Sequence, residues 1–148
     1  MKIASVLVVC VGNICRSPLA ERALAQALPG LTVRSAGLAA VVGAGADETA
    51  LAVAAEAGVD LAGHVARQVT AEIAAGADLI LVMEPAHRAE IARRYPQLSG
   101  RTLLFDHWTG ARGIPDPYRK PETFHREVRD QILAAATAWT RRLGPETA

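Results

Sequence analysis

The stretch that most limits what this chain can fold into is Ile3-Ala4-Ser5-Val6-Leu7-Val8-Val9, which passes directly into Cys10-Val11-Gly12-Asn13-Ile14-Cys15-Arg16-Ser17-Pro18. A β-branched apolar run with almost no polar face reads as a strand buried on both sides. After the polar turn, Leu19, Ala20, Ala23, Leu24, Ala27 and Leu28 form a helical stripe, with Ser17 read as the N-cap and Pro18 as the first helical position. Pro29-Gly30 ends it. A doubly covered strand leading into a helix demands a sheet with helices on both faces.

The remaining pattern agrees. Residues 31–36 suggest a second strand, and a Gly- and Ala-rich loop leads to a helix capped by Asp47 that runs to Glu56 and stops at Gly58. Asp78–Met83 reads as a strand, Pro85–Arg94 as a helix, Arg101–Phe105 as a fourth strand and Pro121–Leu143 as a long amphipathic closing helix. Alternation of this kind implies right-handed crossovers. The expected fold is one doubly wound α/β domain over residues 1–148, a four-stranded parallel sheet with helices on both faces. Ligands of such sheets bind at the carboxyl ends of the strands, where Cys10 and the 106–118 segment stand.

Composition narrows the chemistry. With 16 basic and 15 acidic residues the net charge is +1, so no overall field would hold nucleic acid or an anionic membrane, and any anion site must be local. Two cysteines five residues apart cannot staple a secreted scaffold, and a reducing, cytoplasmic compartment is expected. Met1-Lys2 and the apolar stretch to Cys10 imitate a lipoprotein leader only loosely: the apolar run is too short, and a bulky Val9 precedes the cysteine. No segment has the ~20 apolar residues of a membrane span. His64, His87, His107 and His125 form no short-spaced ligand pair, so neither metal nor cofactor is expected.

A loop between a buried strand and a helix start can converge its backbone amides on one point beside the positive helix end, which makes a phosphate cradle of Val11, Gly12, Asn13, Ile14, Cys15, Arg16 and Ser17. Gly12 and Asn13 are the residue types that take positive φ most easily. A cysteine on the floor of such a cradle is expected to ionise, since helix N-termini and nearby arginine favour the thiolate. Arg16 offers a planar fork that matches two phosphate oxygens at once. Cys-x5-Arg alone is a weak signal. The Gly-Asn turn and the Ser-Pro helix start give it weight.

The nonamer resembles the signature loop of the low-molecular-weight protein tyrosine phosphatases. Arg34-Ser35-Ala36-Gly37, His64-Val65-Ala66-Arg67-Gln68, Asp78-Leu79-Ile80-Leu81-Val82-Met83-Glu84 and Ile114-Pro115-Asp116-Pro117-Tyr118 follow in that family's order and approximate spacing. Ser35-Ala36-Gly37-Leu38, Val42-Gly43-Ala44-Gly45-Ala46-Asp47 and His107-Trp108 are most similar to the bacterial branch associated with capsule or exopolysaccharide export. The resemblance implies hydrolysis of phosphotyrosine with Cys10 as nucleophile, Arg16 as phosphate clamp and Asp116 as general acid and base. It also implies a partner with a tyrosine-rich tail, an autophosphorylated bacterial tyrosine kinase. A monomer is expected.

Read from the residues alone, Asp116 is as well a turn aspartate, Ser17 a helix cap, His64 a surface or capping histidine, Tyr118 a half-buried tyrosine and Cys15 a small packing residue. The resemblance instead assigns Asn13, Ser17, Ser35 and His64 to a network that holds the loop, and Tyr118 and Leu38 to the substrate rim. It also makes Cys15 the partner of Cys10 in a reversible, protective disulfide. Asp60 and Asp106 lack the Asp-Pro-Tyr context. Arg119 replaces a second aromatic common in relatives, and residues 38–44 supply only Leu, Ala, Val and Gly, so the rim is expected to be less aromatic. A thiol-relay arsenate reductase would need cysteines after Cys15, and none exists. A phosphoarginine phosphatase would by resemblance carry threonine in place of Ile14. A catalytically silent phosphotyrosine-binding module would have lost one of Cys10, Arg16 and Asp116.

Overall fold

The structure is a computed structural model that describes residues 2–144. Met1, at the head of the rejected leader, and residues 145–148, at the end of the expected 1–148 domain, lie outside the described residues. The elements run β1 (Ser5–Cys10), α1 (Arg16–Ala27), β2 (Thr32–Gly37), α2 (Glu48–Glu56), α3 (Ala71–Ala75), β3 (Leu79–Val82), α4 (Pro85–Arg94), a 3-10 turn (Pro96–Arg101), β4 (Thr102–Leu104) and α5 (Glu122–Leu143). The four strands are parallel in the order β2-β1-β3-β4, the doubly wound arrangement expected.

Alternation along β1 explains why the sheet must be covered twice. Val6, Val8 and Cys10 join Leu19, Leu24, Ile132 and Trp139 of α1 and α5 in one core, while Leu7 and Val9 join Ile80, Val82, Ile91 and Leu98 in the other. The chain leaves β1 toward β2 on one side and later crosses to β3 on the other, so the end of β1 is the point where strand order reverses. A crevice opens there, and Cys10 stands in it, paired in register with Gly37.

Gly37 is required by close approach: a Cβ there would lie 2.3 Å from the Val11 carbonyl oxygen. Asp47 caps α2 as expected, its Oδ2 accepting from the Ala50 amide at 3.1 Å. Two short elements, α3 and the 3-10 turn, carry no readable period and were not expected. Ser17 is not an N-cap. Helix α1 begins one residue before it, with Cys15 at the cap position and no side-chain cap bond, because the Ser17 hydroxyl is engaged elsewhere. Among the described residues no helix is long and apolar enough to cross a membrane.

Gly37→Ala should destabilise the fold by about 1–3 kcal/mol, the usual cost of forcing a methyl group into occupied space. Urea denaturation of the variant checks it.

Candidate active site

Asn13 sits at the centre of the loop. Its φ of 59° lies in the left-handed region, which asparagine tolerates better than most residues, and this turns its amide inward. Gly12, expected to share that conformation, does not have positive φ. The Asn13 side chain donates from Nδ2 to Ser17 Oγ (2.8 Å) and Ser35 Oγ (3.0 Å), and its Oδ1 accepts from the Arg67 amide (3.0 Å). His64 Nε2 donates to the Asn13 carbonyl at 2.6 Å and the ring is buried, so His64 is neither a surface nor a capping residue. The Ser35 hydroxyl donates to Glu21 Oε1 at 2.7 Å.

The consequence falls on sulfur. Ser17 Oγ already accepts from Asn13, so its single proton is left for Cys10 Sγ, 2.9 Å away. The Asn13 amide also donates to Sγ at 3.3 Å. Two donors are thus directed at one buried sulfur. Cys15 is different: burial first, and the nearby charge of Asp47 second, push its thiol well above the ordinary range, so it stays protonated.

Arg16 is 2% exposed. Its Nη1 donates to Glu84 Oε2 (2.6 Å) and to the Ile114 carbonyl (2.7 Å), and Nη2 lies 3.9 Å from Asp116 Oδ2. With Nη1 committed to protein, the Nε and Nη2 edge remains for two oxygens of an oxyanion. Sequence reasoning gave Glu84 no role, although its place at the end of the β3 motif puts it at the carboxyl edge of the sheet. Buried His87 approaches the same Glu84 oxygen at 3.3 Å, and its Nδ1 has no partner among the described residues. Burial, then the charge of Arg16, lower its pKa.

Asp116 is half exposed on the loop after β4, with Oδ1 accepting from the Tyr118 amide at 3.0 Å. Asp106, set aside in the sequence, folds that loop instead: it is buried, and its Oδ2 accepts from the Arg112 and Gly113 amides. Asp60 accepts from the Ala62 amide in a separate turn. Tyr118 is exposed, with the Arg119 guanidinium 5.3 Å from its ring centre. Leu38, expected at the rim, is buried in the core with Val9 and Ala36, because its amide is tied to the Cys10 carbonyl at the strand end. Val11 of the loop and Val41 and Val42 after it are exposed apolar side chains.

A cysteine and a buried arginine converge on an amide-lined loop at the switch point of a parallel sheet, and such an arrangement defines an α/β oxyanion-binding domain with a sulfur in its floor. The family model for low molecular weight phosphotyrosine protein phosphatase matches residues 5–148, and the chain belongs to that family. It is 47% identical over 143 residues to the low molecular weight protein-tyrosine-phosphatase Etp of Escherichia coli K12, covering 97% of each chain. The crystal structure of the Erwinia amylovora tyrosine phosphatase AmsI superposes with a TM-score of 0.94 at 48% identity, over 97% of this chain and 95% of that one. The YwlE arginine phosphatase of Geobacillus stearothermophilus gives 0.88 at 33%, over 95% and 92%.

The lowered pKa of His87 has a definite sign. Its folded value lies below the ordinary 6.5, so the stability tied to its neutral form is complete above pH 6.5 and lost as pH falls through the depressed value. Unfolding free energies measured between pH 7.5 and 5 should therefore fall less in His87→Gln than in wild type.

Proposed function

We propose that this chain hydrolyses phosphotyrosine in proteins through a phosphocysteine intermediate. The observation that carries the reading is Cys10 Sγ, held by the Ser17 hydroxyl and the Asn13 amide beside the buried fork of Arg16. The thiolate attacks phosphorus while Arg16 and the amides of residues 11–17 hold the phosphate oxygens, and the bond from phosphorus to the phenolic oxygen breaks. Asp116, protonated, gives its proton to that oxygen. As a carboxylate it then takes a proton from the water that hydrolyses phosphocysteine, and Ser17 stabilises the departing thiolate.

Asn13, Ser35 and His64 act as loop supports, Tyr118 as the rim residue against the substrate ring, and Cys15 as a reversible disulfide partner for Cys10. The one-domain organisation, a cytoplasmic location and a monomeric state belong to the same proposal. So does a partner of the autophosphorylated tyrosine-kinase class in polysaccharide export. What supports that partner is the sequence resemblance in residues 35–47 and 107–108, alongside the relatives named as tyrosine phosphatases. The arginine phosphatase likeness keeps phosphoarginine as the rival substrate, and Ile14 in place of threonine argues against it. The ratio of kcat/KM on the two phosphoamino acids decides between them.

Wild type should hydrolyse p-nitrophenyl phosphate without added metal, and acid-quenched mass spectrometry should find phosphate on Cys10. Cys10→Ser should abolish both. No metal-free turnover under reducing conditions would instead leave a phosphate-binding module. Asp116→Asn should lose at least about tenfold more rate on phenyl phosphate than on p-nitrophenyl phosphate, since the poorer leaving group depends more on a proton donor. Equal losses would reduce Asp116 to a turn residue.

A further inference from the structure

Ser35 and His64, which support the phosphate loop, also line an open cleft of about 190 Å3 that Asp116 does not line. Arg22, Arg34 and Arg67 line it with Glu21, Ser35 and His64. Three guanidinium groups against one carboxylate leave a local excess of two positive charges in a chain whose net charge is only +1.

Few of those donors are used. Arg34 is exposed and makes no hydrogen bond among the described residues. Arg67 commits Nε to the Ser35 carbonyl (2.9 Å), and both terminal nitrogens remain. Arg22 spends Nε on Glu21 Oε2 (3.2 Å) and Nη1 on the carbonyls of Asp60 and Ala62. Unspent planar donors among the residues lining one cleft suit bidentate contacts to an oxyanion. The volume suits one or two phosphoryl groups.

The wall of the cleft is also the outer end of the network that holds the sulfur. From Glu21 the hydrogen bonds pass to Ser35 Oγ (2.7 Å), Asn13 Nδ2 (3.0 Å), Ser17 Oγ (2.8 Å) and Cys10 Sγ (2.9 Å). On the other side the Arg67 amide holds Asn13 Oδ1 and His64 holds the Asn13 carbonyl. An anion bound here would compete with Glu21 for Arg22, repel the Glu21 carboxylate and so withdraw the acceptor of the Ser35 proton, at the outer end of the bonds that reach Cys10 Sγ.

We propose that this cleft is a second oxyanion site, for a small diphosphate, whose occupation slows the reaction at Cys10. The inhibitory role rests on the phosphatase reading. The binding itself does not. Free diphosphate and a nucleoside diphosphate offer the same chemistry, so inorganic pyrophosphate and ADP are both used as probes.

The test separates the cleft from the cradle, where the same anions compete with substrate. At saturating p-nitrophenyl phosphate, with the cradle filled, pyrophosphate or ADP should lower the wild-type kcat by about fivefold, the size of an ordinary allosteric coupling. In Arg34→Glu the basal kcat should be unchanged, the kcat effect should vanish and the competitive effect on KM should persist. Arg34→Gln, which keeps the size of the side chain, should give an intermediate response and guards against a misfolded charge reversal. An effect from ADP with none from pyrophosphate would assign the site to diphosphate esters, and the reverse to free diphosphate.

Purely competitive inhibition in wild type, or a kcat effect that survives in Arg34→Glu, overturns the proposal. Calorimetric titration of both proteins with pyrophosphate and with ADP completes it: wild type should show one more binding event than Arg34→Glu with at least one of the two, and equal stoichiometry with both overturns the site. If wild type failed to turn over, the phosphatase reading would fall while the calorimetry still decided on the cleft.

Discussion

Burying the guanidinium of Arg16 is the constraint around which the carboxyl end of the sheet is organised. A charge at 2% exposure is tolerable only if it is paired and its donors are satisfied. Glu84 at the start of α4, the Ile114 carbonyl and Asp116 on the loop after β4 meet that demand together. The arginine therefore pins α1, α4 and the 106–118 loop to one another. The loop has its own anchors: Asp106 gathers the Arg112 and Gly113 amides, the Ile114 amide donates to the Met83 carbonyl at 2.7 Å, and Trp139 of α5 donates to the Phe105 carbonyl at 2.6 Å. Asp116 itself accepts from the Tyr118 amide and faces Arg16 at 3.9 Å, and its half-exposed carboxyl suits the proposed exchange of protons with solvent and substrate.

The opposite half of the cradle depends on Asn13. One amide side chain receives the Arg67 backbone proton and gives its own two to Ser17 and Ser35, while its backbone carbonyl receives His64. Every polar capacity of that side chain has a direction, and the direction fixes which way the Ser17 proton points. Isosteric aspartate would supply a second acceptor oxygen where two donated protons are needed and would reverse the chain of hydrogen bonds. Stability and chemistry coincide here, because the bonds that hold the loop shape are those that orient the donor at sulfur.

How much of this was legible in the sequence differs by type of information. The parallel, doubly covered sheet could be read, because the apolar runs at β1 and β3 are too continuous for any half-exposed strand, and α4 was placed to the residue from Pro85 to Arg94; the order β2-β1-β3-β4 was not read. The five-residue α3 was not legible, since it is too short to show a period. Ser17 was misplaced as a cap because a serine before proline carries the same local signal whether its hydroxyl bonds a backbone amide or a side chain seven residues back. Leu38 was misplaced because resemblance locates a loop and not the side on which each residue falls. Glu84, Glu21 and Arg67 went without roles for a different reason: their partners lie 14 to 68 residues away, and no local pattern encodes such a pairing.

Cys15 joins these threads. Its thiol is buried at the start of α1 beside Asp47, and both circumstances hold it protonated. A thiolate at Cys15 would set a negative charge against every oxyanion entering the cradle and would offset the amides and Arg16. Neutral, it packs as a small apolar group and leaves the field of the loop to its donors. The same burial lowers its reactivity as an attacking thiol, since exchange requires the thiolate. Any disulfide between Cys10 and Cys15 must therefore begin with oxidation at Cys10, whose sulfur is the one with donors directed at it. The proposed protection of the nucleophile is then a response to damage and does not compete with turnover.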